Sequence, residues 1–61
     1  MAHEIKKFDI GQKIIINTIN IEGYITGIMT RENNFIEYEV SYYLGDNYYI
    51  TNFAEYQIRG I

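Results

Sequence analysis

One segment of the sequence, residues 35–43, alternates between two kinds of side chain at every step. Ile36, Tyr38, Val40 and Tyr42 fall on one side of an extended chain, and Phe35, Glu37, Glu39, Ser41 and Tyr43 fall on the other. A period of two is typical of an antiparallel strand that is buried on one face and open to water on the other. The pattern predicts a strand over residues 35–43. In a helix, with its period of 3.6, these apolar residues would not share one face.

The composition favours strands throughout the chain. Isoleucine occurs 13 times and tyrosine 7 times, whereas leucine and valine occur once each and alanine twice. Branched and aromatic residues favour strands, while leucine and alanine favour helices. With 61 residues and no linker-like segment, the chain forms at most one small domain. We therefore expect an all-β domain.

The remaining elements follow from apolar spacing and turn residues. We predict strands at residues 12–19, 21–30, 48–52 and 57–61, a polar turn at 31–34, and a 3-10 turn at 53–56. In the second strand, a bulge at Thr26 and Gly27 turns both Ile25 and Ile28 inward. Gly11 is expected at a positive φ in an entry turn. The polar residues 1–7 are expected to form a loosely held N-terminal arm.

The turn after residue 44 sets the register between the strand at residues 35–43 and the strand at 48–52. A three-residue turn at 45–47, with Asn47 left-handed, places Tyr42 opposite Ile50 on the inside and Tyr43 opposite Tyr49 on the outside. A two-residue turn would pair inward Val40 with Thr51, and on that ground it is rejected. The expected core is Ile10, Ile14, Ile16, Ile25, Ile28, Ile36, Tyr38, Val40, Tyr42, Ile50 and Ile58.

Four segments carry a resemblance to a known fold. They are FDIGQKI at residues 8–14, EGYITGI at 22–28, YEVSY at 38–42 and FAEYQI at 53–58. Together with the bulged second strand and the 3-10 turn, they resemble an SH3-like five-stranded barrel of the Tudor and KOW type. The resemblance implies a barrel domain over residues 8–61 that serves a binding task. The small size and composition also resemble accessory proteins of bacteriophages and mobile elements.

The residues offer little for catalysis or metal binding. The chain has no cysteine, one serine and one histidine, His3, so no nucleophile and base are paired. Glu37 and Glu39 on one strand face are read as solvated carboxylates rather than an acid–base pair, and with Asp46 they lack calcium-loop spacing. We expect no enzyme, no cofactor and no metal. No segment is long and apolar enough to span a membrane, and no signal sequence is evident, so a cytoplasmic location is expected.

The charge argues against nucleic acid as the main partner. Five basic residues face eight acidic ones, which gives a net charge of −3, whereas nucleic-acid-binding domains are usually basic. Lys6, Lys7 and Lys13 cluster near the start and form the alternative nucleic-acid surface.

A protein partner is the preferred interpretation. Exposed aromatic residues beside carboxylates are typical of interfaces, where rings provide buried area and charges attract a basic or mixed-charge partner. The candidate surface consists of Tyr24, Phe35, Glu37, Glu39, Tyr43, Asp46 and Tyr49. Three alternatives stay open: Tyr43 and Tyr49 only stabilise the hairpin, the tyrosines form a cage for a methylated side chain, or the chain self-associates as a structural subunit through a sheet edge or apolar face.

Overall fold

The fold is a single antiparallel sheet of five strands. A computed structural model describes residues 6–61, and its strands are β1 (Lys13–Ile16), β2 (Ile21–Thr30), β3 (Ile36–Leu44), β4 (Asn47–Ala54) and β5 (Ile58–Gly60). Their order across the sheet is β4-β3-β2-β1-β5, so β4 and β5 are its two edges. The all-β class and the 3-10 turn before the last strand, now at Glu55–Gln57, are confirmed. The expected arm falls mostly on residues 1–5, which lie outside the described residues.

A bulge in β2 brings two isoleucines to the same face of the sheet, as predicted. Val40 of β3 pairs with Ile25, and Glu39 pairs with Gly27, so the register skips Thr26. The extra residue restores the phase of the strand. Ile25 is therefore buried, and Ile28 packs against the same core.

The core lies on one face, which we call the inner face of the sheet. Its buried members are Phe8, Ile14, Ile16, Ile25, Tyr38, Val40 and Ile58, and Ile28, Ile36, Tyr42 and Phe53 pack against them. Nine of the eleven expected core residues are therefore in or against the core. The two exceptions are Ile10 and Ile50.

Ile10 is exposed because it lies at the tip of a turn. The Gln12 N–H donates to the Asp9 carbonyl at 3.1 Å, which makes Ile10 and Gly11 the central residues. Gly11 has the positive φ that was predicted, 91°, as the third position of a type II turn requires. This geometry leaves the Ile10 side chain 66% exposed, while Phe8 alone enters the core.

The register predicted for the hairpin of β3 and β4 is wrong by one residue. Leu44 pairs with Asn47, so the turn has two residues, Gly45 and Asp46. Gly45 has a φ of 65°, and Asn47 is not left-handed. Glycine at the first central position is the requirement of a type II′ turn, whose twist suits a hairpin.

The shorter turn changes which residues of β4 face the core. Tyr42 pairs with Tyr49, Tyr43 with Tyr48, and Val40 with Thr51. Ile50 and Tyr48 therefore lie on the opposite face, which we call the outer face, and both are exposed. The pairing of Val40 with Thr51 leaves no polar group buried without a partner. Thr51 is exposed at the sheet edge, and its hydroxyl lies 3.2 Å from the Tyr42 hydroxyl.

Tyr38 links three parts of the chain through the core. Its side chain is fully buried and meets the Phe8 ring edge-on, with centroids 5.4 Å apart. Its hydroxyl accepts a hydrogen bond from the Lys7 N–H at 3.1 Å and donates to a Glu55 carboxylate oxygen at 3.2 Å. Burial raises the pKa of the Tyr38 phenol, and the nearby Glu55 carboxylate raises it further, against the lowering effect of the backbone N–H donors.

We predict that alkaline pH weakens the fold through Tyr38. A pKa raised by folding stabilises the native state below the unfolded value of about 10, and this stabilisation is lost as pH rises through the native pKa. The stability of the unmodified chain should therefore fall more steeply above about pH 10 than that of Tyr38→Phe, by at most about 1.4 kcal/mol per pH unit. Urea unfolding at a series of pH values measures both slopes, and equal slopes would contradict the prediction.

A second prediction concerns Gly23, where β2 approaches β3 closely. A Cβ at this position would lie 2.7 Å from the Val40 Cγ1 and 2.8 Å from the Ser41 carbonyl oxygen. Both neighbours are buried, so Gly23→Ala should lower the free energy of unfolding by about 1–3 kcal/mol.

Gly27→Ala is the matched control for this substitution. Its Cβ would meet only the Glu39 side chain, with Oε1 at 3.3 Å and Cβ at 3.4 Å, and no distance is below 3.0 Å. Urea unfolding should show a clearly smaller loss than for Gly23→Ala. Equal losses would mean that the close approach at Gly23 does not limit the packing.

Candidate functional site

The outer face of the sheet gathers exposed apolar side chains from three neighbouring strands. Tyr24 of β2 pairs with Ser41 of β3, and Ser41 pairs with Ile50 of β4, so these three residues form one row. The next pair of β3 and β4 on the same face is Tyr43 and Tyr48. We call Tyr24, Tyr43, Tyr48 and Ile50 the outer-face patch. Each of these four residues is between 50% and 64% exposed, while Ser41 beneath them is buried.

The Tyr43 and Tyr48 rings are in contact, with centroids 5.1 Å apart and planes inclined by 54°. A tilted pair of this kind stabilises a hairpin, and both residues remain more than half exposed. Beside it, a groove of about 420 Å³ runs towards Tyr24 and Glu22, with Ser41 in its lining. Tyr24, Tyr43 and Tyr48 of the patch therefore line a shallow depression, and Ile50 lies beside it.

The rim of the patch carries both signs of charge. The Lys13 ammonium lies 5.9 Å from the centre of the Tyr24 ring and 3.8 Å from a Glu22 carboxylate oxygen. Both charged side chains are exposed, so their pairing adds little stability. They are free to be rearranged when another molecule approaches.

Tyr49 does not belong to this face. The two-residue turn places it on the inner face, where its ring stacks on that of Tyr42 with centroids 5.6 Å apart and an angle of 26°. The expected outward pair of Tyr43 and Tyr49 is therefore replaced by Tyr43 and Tyr48. The signal that could have revealed this was in the sequence: Gly45 followed by Asp46 suits a two-residue turn.

Phe35 lies at the turn between β2 and β3, at the opposite end of β3 from Tyr43. It follows the turn in which Asn33 and Asn34 both have a positive φ, and it lines a separate depression of about 680 Å³ with Arg31, Glu32 and Asn33. Eight residues of extended chain, roughly 26 Å, separate it from Tyr43. The structure does not bring Phe35 together with the patch.

The three predicted carboxylates have different surroundings. Glu37 forms an ion pair with Arg31 at 2.8 Å and is half-buried. Glu39 accepts a hydrogen bond from the Thr26 hydroxyl at 2.9 Å and lies one outer-face position from Ser41, so it borders the patch. Asp46 is exposed in the turn that joins β3 and β4. Only Glu39 and Asp46 are therefore near the tyrosines.

The lysines of the alternative surface do not form one unpaired cluster. Lys6 lies 3.3 Å from an Asp9 carboxylate oxygen, and Lys13 is engaged at the rim of the patch. Lys7 is exposed, and its backbone N–H is bound to Tyr38. Two of the three positive charges thus already face a carboxylate.

Two features are absent from residues 6–61, a cluster of metal ligands and a helix that could span a membrane. In that part of the chain, no three histidine, aspartate or glutamate side chains converge as metal ligands would. The helical segments described there are 3-10 turns, and none has the length and apolar character to cross a membrane.

The outer-face patch is thus the most distinctive surface of the described chain, and its residues come from three strands that the sheet holds side by side. No protein-family model, curated protein or solved structure matches this chain.

Proposed function

We propose that this chain is a non-catalytic protein-binding module whose contact surface is the outer-face patch. One observation carries the proposal: Tyr24, Tyr43, Tyr48 and Ile50 are all at least half exposed and lie on adjacent strands. Contiguous apolar patches with polar rims mark interaction sites on soluble proteins. Tyrosine is among the residues that contribute most to binding at interface centres.

The surroundings of the patch favour a basic or mixed-charge partner. The chain carries a net charge of −3, and Glu22, Glu39 and Asp46 lie around the tyrosines. Complementary charge at a rim accelerates association and orients the partner more than it adds affinity. The exposed Lys13 beside Tyr24 provides one positive contact within this acidic setting.

We also propose that the sheet is organised as an SH3-like barrel. The bulge in β2, the 3-10 turn between β4 and β5, and the pairing of β5 with β1 all support this arrangement. Barrels of this type use exposed strand faces and loops for binding, and they host many unrelated tasks. The proposal extends to a small cytoplasmic accessory protein of the phage or mobile-element kind, supported by the size and cysteine-free composition.

The proposal predicts that aromatic residues of the patch contact a protein directly. A photo-cross-linking residue introduced as Tyr43→p-benzoylphenylalanine should capture one protein in cells that express the chain. The same residue at Tyr56, which is 79% exposed but outside the patch, is the control. Capture that is equal at both positions would contradict the proposal.

The captured partner then permits a quantitative test. The double variant Tyr24→Ala/Tyr43→Ala should weaken its binding by about 2–4 kcal/mol, which is roughly 30-fold to 1000-fold in Kd, because both rings would leave the interface. Tyr56→Ala should bind normally, and titration calorimetry measures all three chains. Binding that survives the double substitution would contradict the patch as the contact surface. Binding of a short nucleic-acid duplex that falls steeply with salt and requires Lys6, Lys7 and Lys13 would favour the nucleic-acid alternative.

A further inference from the structure

No strand within residues 6–61 pairs with β4 on the side away from β3. This free edge lacks the features that normally keep sheet edges apart. The strand contains no charged residue and no proline, and it pairs with β3 over eight consecutive positions without a bulge. Charges, prolines, bulges and short length are the usual protections of an edge. The opposite edge has two of them, since β5 is three residues long and carries Arg59.

Four residues of β4 direct their backbone groups away from β3. Ala54 donates its N–H to the Gln57 side-chain oxygen at 2.8 Å rather than to β3. Bonded and non-bonded pairs alternate along an antiparallel ladder, so Tyr48, Ile50 and Asn52 also lie in non-bonded pairs with β3. The turn gives the same parity, because the closing pair of a two-residue turn, Leu44 and Asn47, is a bonded one.

Three of these four residues have free backbone groups, and they are symmetric about Ile50. Because Gln57 already occupies the Ala54 N–H, the available set is Tyr48, Ile50 and Asn52. In an antiparallel pairing with a second copy, Ile50 faces Ile50, and Tyr48 faces Asn52 in both directions. Each such pair exchanges two hydrogen bonds, about six in all. A two-fold interface requires a set of groups that is complementary to itself, and this set meets that condition.

We propose that two copies of this chain associate through β4, antiparallel and centred on Ile50, to form one continuous ten-stranded sheet. A second copy suits this edge better than a charged partner because β4 has no charge to select one. The paired residues also bring exposed Ile50 side chains together on the outer face. This dimer rests on backbone groups at the edge, and it requires no partner bound to the outer-face patch.

The cysteine-free sequence permits a direct test of the register. Directly opposite residues in a bonded pair have Cα atoms about 5.5 Å apart, which a disulfide can bridge. Ile50→Cys should therefore form a disulfide-linked dimer under mild oxidation. Tyr49→Cys, which faces Thr51 in this register, and Tyr56→Cys, on an exposed turn, should form it much more slowly. Equal rates, or faster linkage at Tyr49, would overturn the proposed pairing.

Association without any cross-link is the second test. Sedimentation equilibrium should show a dimer, and amide exchange at Tyr48, Ile50 and Asn52 should slow as concentration rises, while Tyr49 and Thr51 stay protected throughout. Ile50→Lys places two like charges opposite each other and should raise the dimer Kd by roughly tenfold or more. Ile10→Lys, at another exposed isoleucine, is the control, and circular dichroism verifies that each variant is folded.

The outcomes separate this proposal from the proposed function. A chain that stays monomeric at all concentrations, or a dimer that Ile50→Lys leaves unchanged, would overturn the β4 pairing. The variant Tyr24→Ala/Tyr43→Ala should lose the outside partner and keep the dimer. Loss of the dimer in that variant would place the association on the outer face and not at the edge.

Discussion

The need to satisfy one buried hydroxyl holds the two ends of the domain together. Tyr38 lies near the start of β3 with its ring in the core, so its hydroxyl must find partners inside the protein. Those partners are the Lys7 N–H, before the first strand, and the Glu55 carboxylate, after the fourth. Meeting this requirement brings Phe8 and the 3-10 turn over the inner face. In a domain without disulfides, this is a connection between segments that the sheet alone does not join.

The sequence was sufficient where local pattern and core burial agree. The alternation in β3 correctly placed Tyr38 and Val40 in the core. Regular alternation in β2 would put Ile25 and Ile28 on opposite faces, and this conflict correctly predicted the bulge. The sequence pattern failed at β4, where the predicted register places Ile50 inside, opposite Tyr42, and Tyr42 in fact pairs with Tyr49. Ile50 lies on an edge strand beyond the reach of the core, so turn chemistry at Gly45 decides the register instead.

The error in register also accounts for the error in the candidate site. A shift of one residue moves a side chain to the other face of a sheet, which is why Tyr48 and not Tyr49 joins Tyr43. Tyr24 was correctly placed because it lies before the bulge, where its pairing with Ser41 is regular. Phe35 could not be assigned from alternation alone. Sharing a face with Tyr43 says nothing about distance along a strand.

The outer face and the β4 edge have Ile50 in common, and this links the two proposals. In the antiparallel dimer, the rows of Tyr24, Ser41 and Ile50 from both copies meet end to end, so two patches become one surface across the two-fold axis. A partner that spans this surface binds the dimer better than the monomer. By thermodynamic linkage, such a partner must strengthen dimerisation by the same factor as dimerisation strengthens its binding. The patch would then act as a surface whose affinity depends on the concentration of the chain itself.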